Sequence, residues 1–187
     1  MILADGLLGQ MMEPVTFPEI KANVVEKPWA TNGHQFKRKH NIVNSLYLQP
    51  DGLQKTVQDR FVRYEDIKKK HSEAELYKTE DADIVVVAYG ATARVAKSAV
   101  NKAREAGIKA GLIRPMTLWP FPEKQIVEGT KAASDVLVVE MSMGQMVDDV
   151  KLSLECSKPV HFFGRTGGVI PKPTEIFDEI IKIGGAK

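Results

Sequence analysis

Four clusters of residues in this chain have types and spacing that could do chemistry. Glu140 ends an apolar run, and Ser142, Gly144 and Gln145 stand close behind it. Ser142-Met143-Gly144-Gln145 fits a capping box, in which Ser142 bonds first-turn amides and Gln145 reaches back to the Ser142 amide. In Gly164-Arg165-Thr166-Gly167-Gly168, glycines let backbone amides converge on an anion and Arg165 could clamp it. Arg114-Pro115 supplies a second cation, and Tyr89-Gly90-Thr92 a helix start with Thr92 as cap. Each cluster also has a plainer explanation. Glu140 is equally a polar residue where a strand meets solvent, and the glycine loop, which matches neither the P-loop nor GxGxxG, is equally a flexible turn.

Several chemistries are excluded. The chain has no G-x-S-x-G elbow, no H-E-x-x-H and no glycine-rich loop followed by Lys-Ser/Thr. Gly90-Ala91-Thr92-Ala93 holds one of the three dinucleotide glycines, so NAD binding is not expected. His34, His40, His71 and His161 fall on different elements with no acidic or cysteine partner at ligand spacing, which argues for structural roles and against a metal site. The single Cys156 allows no internal disulfide and no cysteine cluster, and points to a reducing, cytoplasmic compartment. A formal net charge of +2 does not favour nucleic acid, and Lys37-Arg38-Lys39-His40 reads as a solvated loop. No stretch approaches the roughly 18 apolar residues that span a bilayer, and no targeting signal opens the chain. No catalytic residue is assigned.

The clusters must be positioned by four strand–helix units. Ile84 to Tyr89 is an unbroken apolar, β-branched run, as a strand covered on both faces requires, and so predicts a central parallel strand. The following helix places Val95, Ala99, Ala103 and Ala106 on one face and ends at Gly107. The second unit runs from Ile108 to Ile113. Pro115, Pro120 and Pro122 then hold off any helix until Pro122, its first position, after which Ile126, Val127 and Ala133 face inward. Trp119 and Phe121, between prolines, form a rigid apolar knuckle, either anchored in the core or contacting another subunit. Asp135 to Met141 begins the third unit, with Met146, Val147, Val150 and Leu154 turned inward. Val160 to Phe163 begins the fourth, with a helix from about Pro173 buried through Ile176, Phe177, Ile180 and Ile183. This alternation predicts an α/β fold with a mostly parallel sheet, whose ligands lie outside the carboxyl ends of the strands. All four clusters fall on that rim.

Upstream the pattern changes. Leu53, Val57, Phe61, Tyr64 and Ile67 recur at helical spacing behind Asp51, predicting a long amphipathic helix, capped by Asp51, to about Tyr77 within a linking segment over 53–80. Residues 15–52 show neither period and read as an irregular connection. Met1 to Pro14 reads as a strand end, a glycine turn and a short helical stretch, belonging either to a sheet edge or to the tail of a preceding domain.

Taken together, Asp5-Gly6-Leu7-Leu8-Gly9-Gln10-Met11, Ile113-Arg114-Pro115-Met116-Thr117-Leu118-Trp119-Pro120-Phe121-Pro122, Glu140-Met141-Ser142-Met143-Gly144-Gln145 and Gly164-Arg165-Thr166-Gly167-Gly168 resemble the C-terminal part of the α-type subunit of 2-oxoacid:ferredoxin oxidoreductases. The likeness is strongest to the branch acting on 2-ketoisovalerate, with the 2-oxoglutarate branch next. It implies a three-layer α/β/α sandwich, transketolase C-terminal-domain-like, over 81–187, with residues 1–14 the tail of a pyrimidine-binding domain. It also implies a complete enzyme that oxidatively decarboxylates a 2-oxoacid on thiamine diphosphate and Mg2+. Electrons then pass through iron–sulfur clusters to ferredoxin, and the acyl group passes to coenzyme A. The family's cofactor-holding parts are expected outside this sequence, so no cofactor is expected in it and it should not catalyse alone. Its implied role is assembly with β-type and ferredoxin-like subunits, its rim bordering the cofactor or coenzyme A cleft. A non-catalytic interaction module of the same fold is the alternative, and a homo-oligomer is left open.

Overall fold

The computed structural model describes residues 6–12, 14–19 and 25–184, which divide into two units, Met1–Arg63 and Tyr64–Lys187. Its main elements are α1 (Pro50–His71), β1 (Ala74–Tyr77), β2 (Ile84–Val87), α2 (Gly90–Glu105), β3 (Ala110–Pro115), α3 (Glu123–Gly129), β4 (Asp135–Glu140), α4 (Met146–Ser153), β5 (Val160–Gly164) and α5 (Pro173–Gly184).

In the second unit the five strands form one sheet in the order β1-β3-β2-β4-β5. β2 lies at its centre, parallel to both neighbours, with Val86 opposite Leu112 and Leu137. A strand there meets no water on either face, which is why Ile84 to Val87 needs no polar alternation. Ile84 and Val86 pack with Ala96, Ala99, Val100 and Ala103 of α2 and with Ile176 and Ile180 of α5. Val85 and Val87 pack on the other face with Ile126 of α3 and with Val147 and Val150 of α4. The expected three-layer α/β/α arrangement with four strand–helix units therefore holds.

Several local expectations change. Gly90 is already the first residue of α2, Tyr89 precedes it without a side-chain cap, and Thr92 is buried within the first turn. Thr92 is therefore a packing residue, not a cap. The buried stripe of α2 runs through Ala96, Ala99, Val100 and Ala103, while Ala106 is exposed beyond the helix end. Pro122 precedes α3 by one residue, and Val127 points outward, 46% exposed. The linking helix stops at His71, and Ala74–Tyr77 is a strand antiparallel to β3, with Glu75 opposite Arg114. Four residues reading Ala-Glu-Leu-Tyr are too short to display a period of 2, so cross-strand pairing, a non-local interaction, decides them. Asp51 lies inside the first turn of α1, which begins at Pro50, and there it meets the positive end of the helix dipole.

In the first unit the described residues form a 3-10 turn, Leu8–Gln10, ahead of Pro14, and the first part of α1. The strand expected at Met1 to Ala4 lies outside the described residues. Between them the described residues carry no helix or strand, and α1 already begins at Pro50, inside the 15–52 connection. Arg38 of the basic tetrad donates to Ala30 O, Asn32 Oδ1 and Gly33 O at 3.0–3.2 Å, so its charge organises its own loop.

The corner after α3 is closed from another element. The Lys158 ammonium, just ahead of β5, donates to the carbonyls of Thr130, Lys131 and Ala133, the last at 2.7 Å. It thereby satisfies orphan carbonyls at a helix C-terminus and opposes the negative end of its dipole. Lys158→Met is expected to destabilise the protein by about 1–3 kcal/mol in denaturant unfolding. Lys131→Met, which removes only an exposed pair with Glu128, is expected to stay within about 0.5 kcal/mol.

Candidate functional site

Glu140 is the last residue of β4 and is fully buried. Its carboxylate accepts the Ser142 hydroxyl at 3.0 Å, the Gln145 amide at 3.2 and 3.3 Å, and the Met146 and Val147 amides at 3.0 Å each. Three of those amides open α4, where a helix has no internal acceptors and where its dipole favours negative charge. A strand-end glutamate thus caps the helix that follows it. Ser142 does not cap α4; its hydroxyl instead accepts the Gly144 amide at 3.1 Å and donates to the Glu140 carboxylate. Gln145 makes no side-chain cap bond. The capping box expected at Ser142–Gln145 is thereby replaced, and so is the expectation that Glu140 meets solvent. A carboxylate offers about four lone-pair sites, and here they are filled by the protein itself. Its charge reaches outward nonetheless: burial first, and Glu140 second, push the Tyr89 phenol above its ordinary pKa.

β5 brings the second cluster alongside. Glu140 lies opposite Gly164 in the parallel ladder, and its carbonyl accepts the Arg165 amide at 3.1 Å. Gly164 must lack a side chain, since a Cβ there would stand 2.4 Å from the Ser142 carbonyl and 2.6 Å from the Phe162 ring. Arg165 is turned inward along its own loop. Its guanidinium donates to Glu175 at 2.8 Å, donates to the Gly164 carbonyl at 3.2 Å, and sits 4.4 Å over the Phe163 ring. The anion clamp expected of Arg165 is therefore already engaged with a carboxylate. Thr166 closes a turn by accepting the Val169 amide at 3.2 Å, with Gly167 and Gly168 both at positive φ as the turn demands. Val169 at this turn, 55% exposed, and Met143 in the loop between β4 and α4, 83% exposed, are the outward parts of this rim.

The remaining clusters lie on the other half of the sheet. Arg114 donates to Glu75 on β1 at 3.2 Å, and Lys97 of α2 reaches the same carboxylate at 3.1 Å. Lys97 foremost, with Arg114 beside it, holds the Glu75 carboxyl below its ordinary pKa. Pro115 is buried. Trp119, 57% exposed, meets Tyr64 edge-to-face at 5.0 Å, while Phe121 packs against the core. The knuckle is thus half anchor and half surface. The Thr117 hydroxyl braces it, accepting the Glu73 amide at 3.1 Å and donating to the Pro120 carbonyl at 2.8 Å. Beneath it lies a cleft of about 540 Å³ lined by Lys69, Ser72, Trp119, Phe121, Gln125 and Asp149 among others. Sequence reasoning missed this cleft, because it depends on α1 ending where β1 begins. It also missed the pairing of His161 Nε2 with Asp135 Oδ1 at 3.1 Å, which joins residues far apart in the chain at the strand ends opposite the rim.

Glu140→Gln, which places an amide nitrogen among donors, is expected to cost about 2–4 kcal/mol in denaturant unfolding. Gly164→Ala should also destabilise, by forcing the β4 and β5 loops apart. The depressed Glu75 pKa contributes stability present above the ordinary glutamate value of about 4.3, and that contribution is lost as pH falls through the lower folded value. Glu75→Gln should therefore flatten the acid limb of a stability–pH curve, modestly, because the pairs are solvent-screened.

Residues 82–176 match the family model of pyruvate:ferredoxin oxidoreductase core domain II. The chain is 42% identical, over 98% of its length, to ketoisovalerate oxidoreductase subunit VorB of Methanothermobacter marburgensis, of which it covers 52%. It is 30% identical, over 96% of its length, to 2-oxoglutarate synthase subunit KorA of the same organism, covering 55% of that protein. The chain thus spans about half the length of the curated relatives it matches. A solved 2-oxoglutarate:ferredoxin oxidoreductase from Magnetococcus marinus, with 2-oxoglutarate, coenzyme A and succinyl-CoA bound, shares the fold at a TM-score of 0.61 and 19% identity, over 73% of this chain and 24% of that one. The family match falls on β2 to β5, the knuckle and both rim loops, which hold three of the four segments that carried the resemblance in the sequence, and the chain belongs to the pyruvate:ferredoxin oxidoreductase core domain II family.

Proposed function

We propose that this chain is the assembly part of the α-type subunit of a 2-oxoacid:ferredoxin oxidoreductase acting on a branched-chain 2-oxoacid such as 2-ketoisovalerate. The observation that carries this reading is the 42% identity to a ketoisovalerate oxidoreductase subunit across 98% of the chain, against 30% to a 2-oxoglutarate synthase subunit. In the complete enzyme, thiamine diphosphate with Mg2+, iron–sulfur clusters and coenzyme A supply decarboxylation, electron transfer and acyl transfer, with ferredoxin as acceptor.

Among the described residues, the charged groups of the rim are engaged within the chain. Glu140 is saturated by amides, and Arg165 and Arg114 are engaged by Glu175 and Glu75. Among the described residues no three of His, Cys, Asp and Glu converge on one point, and Cys156 stands alone. What the rim offers is shape: two loops locked to each other through Gly164 and Glu140, carrying Met143 and Val169 outward toward the β-type and ferredoxin-like subunits at the edge of the coenzyme A cleft. Among the described residues no helix is long and apolar enough to cross a membrane, and a cytoplasmic location belongs to this reading.

The test is reconstitution of the complex with and without this chain, following coenzyme A-dependent reduction of ferredoxin. Activity should require the chain and favour 2-ketoisovalerate over 2-oxoglutarate by about tenfold or more in kcat/KM. Full activity without the chain, or a preference for 2-oxoglutarate, would sink the proposal.

A further inference from the structure

The two edges of the sheet are built differently. β1, at one edge, is four residues long and carries Glu75 in mid-strand, paired with Lys97 and Arg114, and a charge there deters a further strand. β5, at the other, reads Val160-His161-Phe162-Phe163-Gly164, with no lysine, carboxylate or proline to blunt it. Among the described residues no strand lies beyond it.

The β4 ladder shows which peptide groups it leaves over. The Pro159 carbonyl accepts the Val136 amide at 3.0 Å, and the Arg165 amide donates to the Glu140 carbonyl at 3.1 Å. In a parallel pair alternate residues turn both peptide groups to the same neighbour, so His161 and Phe163 face β4 with theirs. The N–H and C=O groups of Val160, Phe162 and Gly164 therefore point off the sheet. Among them the Gly164 carbonyl is engaged, by the Arg165 guanidinium at 3.2 Å, and it keeps a second lone pair.

This outward row is self-complementary. Turned about a twofold axis at Phe162, an antiparallel copy brings Phe162 opposite Phe162, Val160 opposite Gly164 and His161 opposite Phe163. Every outward donor then meets an outward acceptor. The branched Val160 falls against the residue with no side chain, and the two Phe162 rings form a cross-strand aromatic pair on the side of the sheet that Val160 shares with Ile126 and Val150. The flanking cations Lys158 and Arg165 fall opposite Thr166 and Pro159, so neither stands across from a cation.

We propose that β5 is a homodimer seam, in which two copies of this chain pair antiparallel along Val160–Gly164 and continue the sheet across a twofold axis. The seam is defined by hydrogen bonding within the second unit and does not depend on the enzymatic reading.

Sedimentation equilibrium and hydrogen exchange on the full chain test it. The chain should associate to a dimer with a Kd of about 100 μM or tighter. The Phe162 and Gly164 amides should exchange about tenfold or more slowly in concentrated than in dilute solution. Phe162→Lys, which sets two like charges face to face at the axis, should abolish both effects, whereas Phe162→Leu should keep them. The axis itself is read by cross-linking in a Cys156→Ser background, which removes the exposed native thiol. Phe162→Cys should form a disulfide-linked dimer on mild oxidation, since directly opposite residues stand about 5.5 Å apart at Cα, and His161→Cys, offset by two residues from its copy, should not. A monomer at the stated concentration, a dimer that survives Phe162→Lys, or cross-linking through His161→Cys in place of Phe162→Cys would each overturn the seam. So would Phe162 and Gly164 amides protected equally at all concentrations, which would mean that the edge is covered from within one chain.

Discussion

A fully buried carboxylate persists only where its lone pairs are filled, and Glu140 fills them with the backbone of the loop behind it. The arrangement solves two problems at once. Amides opening α4 gain an acceptor that the helix does not provide, and the charge gains donors in place of water. Because the carboxylate lies at the last residue of β4, the start of α4 is tied to the sheet itself. The β5 loop is tied in turn, through the Arg165 amide and the missing side chain of Gly164.

That knot stands on an ordinary core. β2 divides its side chains between two apolar layers, one closed by α2 and α5 and the other by α3 and α4. Alanines on α2 let that helix lie close to the sheet, and full burial of Ile176 and Ile180 fastens α5; truncating either isoleucine to Ala would cost about 2–5 kcal/mol. The rigid sheet then presents its carboxyl ends as fixed points, from which the loops project. Charged groups at those ends pair with one another, Arg114 with Glu75 and Arg165 with Glu175.

Strands covered on both faces were the most legible feature, since Ile84–Val87 and Val136–Val139 are apolar without interruption. The four units and the placement of the rim followed from them. β1 was not legible, because its four residues become a strand only by pairing with β3. The cap of α4 was misassigned for a related reason. Ser142 and Gln145 satisfy a local pattern, but the winning acceptor, Glu140, belongs to the preceding strand and reaches Val147 seven residues on. The partners of Arg114 and Arg165 were not legible, because the sequence does not show Glu75 across a strand pair or Glu175 across a loop.

The second unit is a sheet domain whose rim charges pair within the chain, Arg114 with Glu75 and Arg165 with Glu175. The most direct measurement is hydrogen exchange at the Gln145, Met146 and Val147 amides, in the chain alone and in the complex proposed for it. If Glu140 is a structural cap, the three amides exchange slowly and to the same degree in both. Exchange as fast as at Gly167 and Gly168, or loss of protection on assembly as the carboxylate turns toward a ligand, would contradict the account.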